Sequence, residues 1–458
     1  MSEPRIEVLS ILEAELEALH PQARVYQQRT KAPVFFRTTK AEVLRSTKAE
    51  IANLVAPATK AVSLLMSSYS YTLVTRDNFV QLSVAVFGLL TTYLWSAISY
   101  VVSGPRHATW DFRTHYVRDL LLYLIAHQND VGVQLFIKLS SSEGPWPTLN
   151  ASLQRVPQGF ASRLVIPTYP LGPLPPSCVW ATELREVARI SEGREMHAEC
   201  IIANDVPLTS TDEQRGPKVI LHFHGGAYVT GTVEQYRPVH LLLSRYSGLR
   251  VYGFAYRLAP HSLYPTQLYD AYCAFSHMLA LGYKEHEIVF TGDSAGGNLA
   301  LALWQLLQKP RLFAMILVSP RVDIASSRRS WSVNAGADII WGYNIHDVDG
   351  PLRKLLVPQG RPVDQHVVDL LEDPYLSPIN ADLSGLPPML VQVATAEVMY
   401  DDIAEFVRRA QAQNKTNVRY EVFEGGFHDF QFVPLLIRNS VEARENIGKF
   451  IHALVNGP

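Results

Sequence analysis

A serine stands between two glycines in Ile288-Val-Phe-Thr-Gly-Asp-Ser-Ala-Gly-Gly297, as Gly292-x-Ser294-x-Gly296. A β-branched and aromatic run leads into this small-residue turn, and a helical pattern follows from Asn298 to about Gln308. A serine on so tight a strand-to-helix turn is held in a strained conformation that pushes its hydroxyl out of the sheet, and bulkier neighbours would clash there. The following helix end offers unpaired N–H groups and a positive dipole to a developing oxyanion. Such a turn recurs by chance in many chains, so the chemistry depends on partners. Upstream, Val219-Ile-Leu-His-Phe-His224-Gly225-Gly226-Ala227 runs from a strand into a glycine pair able to aim backbone N–H groups at one point. Downstream, Met389–Ala394 reads as a strand followed closely by the acids Glu397, Asp401 and Asp402. Val418–Phe423 alternates like a strand and leads to a loop carrying His428. Nucleophile, acid and histidine in this order are the parts needed for acyl transfer through a covalent intermediate.

These motifs resemble the hormone-sensitive-lipase-like branch of the α/β-hydrolases, with arylacetamide deacetylases and fungal steryl acetyl hydrolases most similar. The matching pieces are His222-Phe-His-Gly-Gly-Ala227, Tyr256-Arg-Leu-Ala-Pro260, Gly292-Asp-Ser-Ala-Gly-Gly297, Ser319-Pro320 with Asp323, and Ser377-Pro378 followed by Leu386-Pro-Pro388. They fall in the family's order between about residues 175 and 455. The resemblance implies a Ser294–Glu397–His428 triad and an oxyanion hole built from the N–H groups of Gly225, Gly226 and Ala295. Two departures matter. Ala227 replaces the third glycine of the family's oxyanion loop, and a glutamate, Glu397, stands where the family has aspartate, with Asp401 the alternative acid. His224 and the Tyr256–Pro260 turn read as structural supports of the loop.

The chain has 458 residues, 47% hydrophobic, and a formal charge of −2, enough for one large domain with an appendage. So neutral a balance gives no support to nucleic-acid binding. Three cysteines, Cys178, Cys200 and Cys273, are too few for a disulfide framework, though one pair remains open. No C-x-x-C or His-Glu-x-x-His spacing suggests a metal, and no cofactor is expected.

Strand patterns near 196–203, 219–224, 250–257, 288–293, 314–319, 389–395 and 418–423 alternate with helical stretches, which implies a mostly parallel sheet covered on both faces. The expected fold is therefore an α/β-hydrolase with a catalytic domain over 106–458. Its cap is drawn from about 106–177, which holds an amphipathic helix near Val117–His127 and a Pro-rich stretch from Pro167 to Pro176, and from 321–374. The latter interval gathers Trp331, Ile339, Ile340, Trp341 and Tyr343.

Residues 1–105 read as an extension. Ile6, Leu9, Leu12, Leu16 and Leu19 share one face of a short helix that Pro21 ends, and residues 21–60 are basic. Residues 79–102 carry no charge and are long enough to cross about 30 Å of hydrocarbon. The expectation is a single membrane span with the catalytic half in the lumen of the endoplasmic reticulum; the competing reading places 79–102 in the cap. The sequons Asn150-Ala-Ser and Asn414-Lys-Thr would then be glycan acceptors. The resemblance implies a small-molecule ester as substrate, an acetate or other short acyl group on an apolar alcohol such as a sterol, terpenoid or secondary metabolite. Acyl transfer to an alcohol, cyclisation or elimination on the same triad, and a receptor built on the scaffold, stay open, as does the oligomeric state.

Overall fold

The computed structural model describes residues 25–28, 35–38, 76–127, 161–203, 218–340, 344–414, 417–432 and 439–456. The acidic helix expected over 1–20, the Asn150 sequon, Trp341 and Tyr343 lie outside them. The chain divides into two compact units, residues 1–79 and 80–458. In the first, β1 (Val25–Gln28) pairs antiparallel with β2 (Phe35–Thr38), Val25 opposite Thr38.

The second unit is built on an eight-stranded sheet ordered β10-β9-β8-β7-β5-β6-β4-β3. Its strands are β3 (Ala161–Pro167), β4 (Glu195–Ile201), β5 (Val219–Phe223), β6 (Arg250–Phe254), β7 (Ile288–Asp293), β8 (Ala314–Val318), β9 (Met389–Ala394) and β10 (Val418–Phe423). The run from β10 to β6 is parallel, while β4 and β3 join antiparallel at the edge. Strands buried on both faces need near-continuous apolar runs, and β5, β8 and β9 are buried at every position. Side chains alternate between two cores. Leu221, Phe223, Phe290 and Val391 pack with Leu268 and Phe275 of α5 (Thr266–Ala280) and Leu299 and Trp304 of α6 (Ala295–Leu306). Ile220, Val289, Ile316 and Leu390 pack with Leu243 of α4 (Arg237–Ser247) and Ile447 and Ile451 of α11 (Ser440–Asn456). Each such side chain stabilises the fold by about 1.5–3 kcal/mol, so the strand ends that carry the motifs rest on a stiff platform.

Every strand expected from the sequence is present. Strand β3 is an addition, lying just before the Pro-rich stretch; Leu164, Val165 and Ile166 are apolar in succession, so the sequence shows no alternation, although the edge strand buries Ile166 and leaves Val165 exposed. The interval 321–374 carries only short helices, α7 (Ser330–Val333), α8 (Pro351–Leu356) and α9 (Gln365–Asp369). The remaining α-helices among the described residues are α1 (Arg76–Ser103), α2 (Phe112–Ala126), α3 (Ala181–Ile190) and α10 (Tyr400–Asn414).

Among the described residues, no helix is long and apolar enough to cross a membrane. Within the second unit, α1 packs on α2 through polar and aromatic contacts: the Ser96 hydroxyl donates to Asp119 at 2.6 Å, and Tyr93 meets Phe112 and Tyr116 edge-on. The three cysteines are free and buried. At the second sequon, the Asn414 amide nitrogen donates to the carbonyls of Leu383 and Ala410, so a glycan at this nitrogen, which replaces one of its two hydrogens, would break at least one of these bonds.

Candidate active site

Ser294 sits at the junction of β7 and α6 with φ 51° and ψ −119°, a region that a serine occupies only under strain. Three backbone bonds hold it there: its N–H donates to the Val318 carbonyl at 3.0 Å, and its carbonyl accepts from Arg321 N–H at 2.9 Å and from Asn298 N–H at 3.2 Å. A Cβ on Gly296 would overlap the Phe223 carbonyl at the end of β5, which explains the glycine and brings the elbow against the oxyanion loop. Asn298, one turn into α6, donates to the carbonyls of Arg321 and Leu376 and accepts from the Tyr228 hydroxyl, tying three loops to the elbow.

His428 follows β10, and its ring Nδ1 lies 3.2 Å from Glu397 Oε2. The other Glu397 oxygen accepts from the Ser319 hydroxyl at 2.9 Å and from Ala394 N–H at 2.7 Å. Glu397 is fully buried, and burial pushes its carboxyl up to about 7 despite the opposing His428. Asp401, the alternative acid, begins α10 and accepts instead from Ser330 N–H at 2.8 Å. Of the two, the carboxylate that reaches the imidazole is thus Glu397. Ser319 takes part as well, a residue that the sequence marked only as half of a Ser-Pro motif.

The other ring nitrogen, Nε2, lies 3.1 Å from Asp429 Oδ2. Burial pulls the imidazole down, but the Asp429 and Glu397 carboxylates on its two sides outweigh it and raise it well above the ordinary histidine range. Histidines 222, 224 and 240 behave oppositely: burial lowers all three, His224 to about 4 and His240 to about 3. They are neutral scaffold at physiological pH. His224 stacks on Tyr256 with ring centroids 4.1 Å apart, and the Tyr256 hydroxyl donates to the His224 carbonyl, as their structural reading implied.

The oxyanion loop departs from expectation at Gly225. Its N–H is directed inward, 3.1 Å from Asp293 Oδ2 and 3.0 Å from the Tyr236 oxygen, so it is taken up inside the protein. The Tyr236 hydroxyl donates to the same Asp293 oxygen at 2.8 Å. Beyond Gly225 the chain takes positive φ at Gly226, Ala227 and Tyr228, at 103°, 55° and 65°. Among the described residues, no acceptor engages the N–H of Gly226 or Ala227. Ala227, Tyr228, Ser294 and Ala295 line one narrow cleft, whose apolar wall is Ile324 with Leu352 and Leu355 of α8. The direction of a backbone N–H depends on the hydroxyl and carboxylate that meet it, which is why the sequence pointed to Gly225 and passed over Ala227.

Elsewhere, His197, Glu199 and Glu234 come within reach of one another, but Arg237 grips both oxygens of Glu199. That set is an ion-paired surface cluster whose buried carboxylate already has its cation.

A family model described as an alpha/beta hydrolase fold matches residues 220–432, a span that contains the elbow, the acid and the histidine. An esterase from Acinetobacter venetianus is 30% identical over 240 residues, covering 52% of this chain and 75% of the relative. An acetyl-hydrolase from Streptomyces hygroscopicus is 29% identical over 237 residues, covering 51% of this chain and 75% of the relative. Among solved structures, an esterase from the bacterial hormone-sensitive lipase family superposes with a TM-score of 0.52 at 23% identity, over 76% of this chain and 99% of the other, which shows the shared fold. With these relatives and the strand order, elbow and acid–histidine pair just described, the chain belongs to the α/β-hydrolases, within a family of carboxylic ester hydrolases.

Proposed function

We propose that the protein hydrolyses short-chain esters, acetates foremost, of an apolar alcohol through a Ser294–His428–Glu397 triad. The observation that carries this reading is the strained Ser294 elbow at an apolar cavity, together with an imidazole braced by the buried Glu397. His428 takes the proton from Ser294 as the hydroxyl oxygen bonds to the ester carbonyl carbon. The N–H groups of Gly226, Ala227 and Ala295 receive the negative oxygen of the tetrahedral intermediate; one such donor is typically worth about 100- to 1000-fold in rate. The carbon–oxygen bond to the alcohol then breaks, and the alcohol leaves with the proton from His428. Water repeats the attack on the acyl-serine and releases the acid.

Ile324, Leu352 and Leu355 close in on the space beside Ser294, which favours a short acyl chain. With p-nitrophenyl esters, kcat/KM for acetate and butyrate is expected to exceed that for laurate by about 10-fold or more, since each excluded methylene costs roughly 0.8 kcal/mol. A protein that prefers laurate, or one that is folded and turns over none of the series, would sink the reading.

We also propose that the protein associates with a membrane surface through α1. Val84, Phe87, Trp95 and Val102 recur at steps of three, eight and seven along one side of the helix, and Phe87 and Trp95 are 64% and 65% exposed. A tryptophan on an exposed apolar stripe suits the bilayer interface. The full chain should float with phosphatidylcholine–phosphatidylserine vesicles on a density gradient, and a Phe87→Glu, Trp95→Glu double variant should remain at the bottom. Equal flotation of the two would remove α1 from the contact.

A further inference from the structure

A buried carboxylate that takes no part in the proton transfer joins the two halves of the acid–histidine pair. Asp338 lies in the irregular stretch after α7 and is almost completely buried. Its Oδ1 accepts from the backbone N–H of His428 at 2.8 Å, and its Oδ2 accepts from the N–H of Val398, the residue after Glu397, at 2.7 Å. Oδ1 also accepts from its neighbour Ile339 N–H at 2.7 Å. The same stretch grips the acid loop from the other side: the Asn334 amide donates to the carbonyls of Thr395 and Glu397 at 3.0 and 2.7 Å, and the Asp338 N–H closes back on Asn334.

This bracket is itself anchored from a distant part of the chain. Arg118 of α2 donates through Nε and Nη2 to the Asp338 carbonyl at 3.2 and 3.1 Å, while its Nη1 is held by Asp119 at 2.8 Å. Nearby, the Trp110 indole donates to the Gly425 carbonyl, three residues before His428. A planar guanidinium pinned at both ends fixes the carbonyl it meets in position and angle.

We infer that Asp338 is a positioning residue that holds the Glu397 loop and the His428 loop in one register, and that Arg118 holds Asp338 in place. The two loops are already joined farther from the imidazole, by Ala396 N–H to the Gly426 carbonyl and Gly425 N–H to the Thr395 hydroxyl, and Asp338 adds a carboxylate that accepts from both backbones at His428 itself and beside Glu397. Misplacing a reacting group by about 1 Å can cost on the order of 100-fold in rate. Asp338 does not line the cavity, so substrate binding is untouched. The functional weight of this inference rests on the triad proposed above.

The test is Asp338→Asn, which puts an amide NH2 opposite one of the backbone N–H groups, with Arg118→Gln as a milder companion. For Asp338→Asn, kcat on p-nitrophenyl acetate is expected to fall about 10- to 100-fold with KM within about two-fold. For Arg118→Gln, the fall is about 3- to 10-fold, again in kcat. The second readout is the low-field proton resonance of the His428 Nδ1–H, assigned by its loss in His428→Gln. It reports the imidazole–Glu397 contact even in a protein that turns over no tested ester, and it is expected to broaden or vanish in both variants. A folded Asp338→Asn protein that keeps both kcat and the resonance overturns the inference. If that variant does not fold, Arg118→Gln and Asn334→Ala decide by the same two readouts. A wild type that keeps the resonance but cleaves no ester removes the triad's function and leaves the positioning to be judged by the resonance alone.

Discussion

Ser294→Ala is expected to abolish hydrolysis of p-nitrophenyl acetate, lowering kcat by about 10⁴- to 10⁶-fold, because the acyl-enzyme route disappears with the nucleophile. Any residual rate would come from the oxyanion N–H groups and substrate binding alone. The substitution removes one oxygen at a site where the backbone, not the side chain, makes the structural bonds: Ser294 N–H and carbonyl hold Val318 and Arg321. Thermal unfolding should therefore stay within a few degrees of wild type, or rise slightly. A covalent serine reagent such as a fluorophosphonate should label the wild type once per chain and leave Ser294→Ala unlabelled. Retained turnover in the variant would place the chemistry elsewhere.

The second large effect separates two acids four positions apart. Glu397→Gln keeps the shape of the side chain but cannot hold the imidazole in the tautomer that accepts a proton from serine, so kcat is expected to fall about 10³- to 10⁴-fold. Asp401→Asn is expected to cost less than about 3-fold, because its carboxylate serves Ser330 N–H at the start of α7. The pH profile supplies an independent reading. His428 acts as a base only when neutral, and Asp429 and Glu397 together raise its pKa well above the ordinary range against the opposing effect of burial. Activity should thus be low below that raised pKa and climb as pH rises through it, with the acid limb lying alkaline of an ordinary histidine. Glu397→Gln removes one of the two carboxylates, so its remaining activity should show the limb moved toward lower pH. A large loss in Asp401→Asn with a small one in Glu397→Gln would reverse the assignment.

Several features of the site were legible because they depend on local pattern. The parallel strands announce themselves as apolar runs, and β5, β7, β9 and β10 each end where a motif begins. Small residues around Ser294 are required by sterics within a few residues of chain: a side chain on Gly292 would strike the Gly296 backbone. Other features were not legible for the same reason turned around. Strand β3 has no alternation of residue type to reveal it, since Leu164, Val165 and Ile166 are apolar in succession although Val165 faces water. Residues 79–102 read as a span because hydropathy counts side chains without asking which neighbours they meet, whereas Ser96, Tyr93 and Tyr100 of α1 meet partners in and beside α2. The Asn414 sequon reads as an acceptor although its amide is already committed to two carbonyls.

By itself, then, the sequence determined the hydrolase scaffold, the serine elbow, the histidine after the last strand, and a short choice of acids between them. Those follow from periodicity, steric need and chain order, which operate over tens of residues at most. Only the tertiary structure decided that Glu397 and not Asp401 meets the imidazole, that Gly225 N–H turns inward to Asp293 and Tyr236 while Gly226 and Ala227 meet no acceptor among the described residues, and that Arg118 and Asp338 stand behind His428. Each of these bonds has its direction set by a partner elsewhere in the chain, between 11 and 220 positions off. No local pattern carries that information, because a carboxylate or an N–H has the same sequence signature whichever way it points.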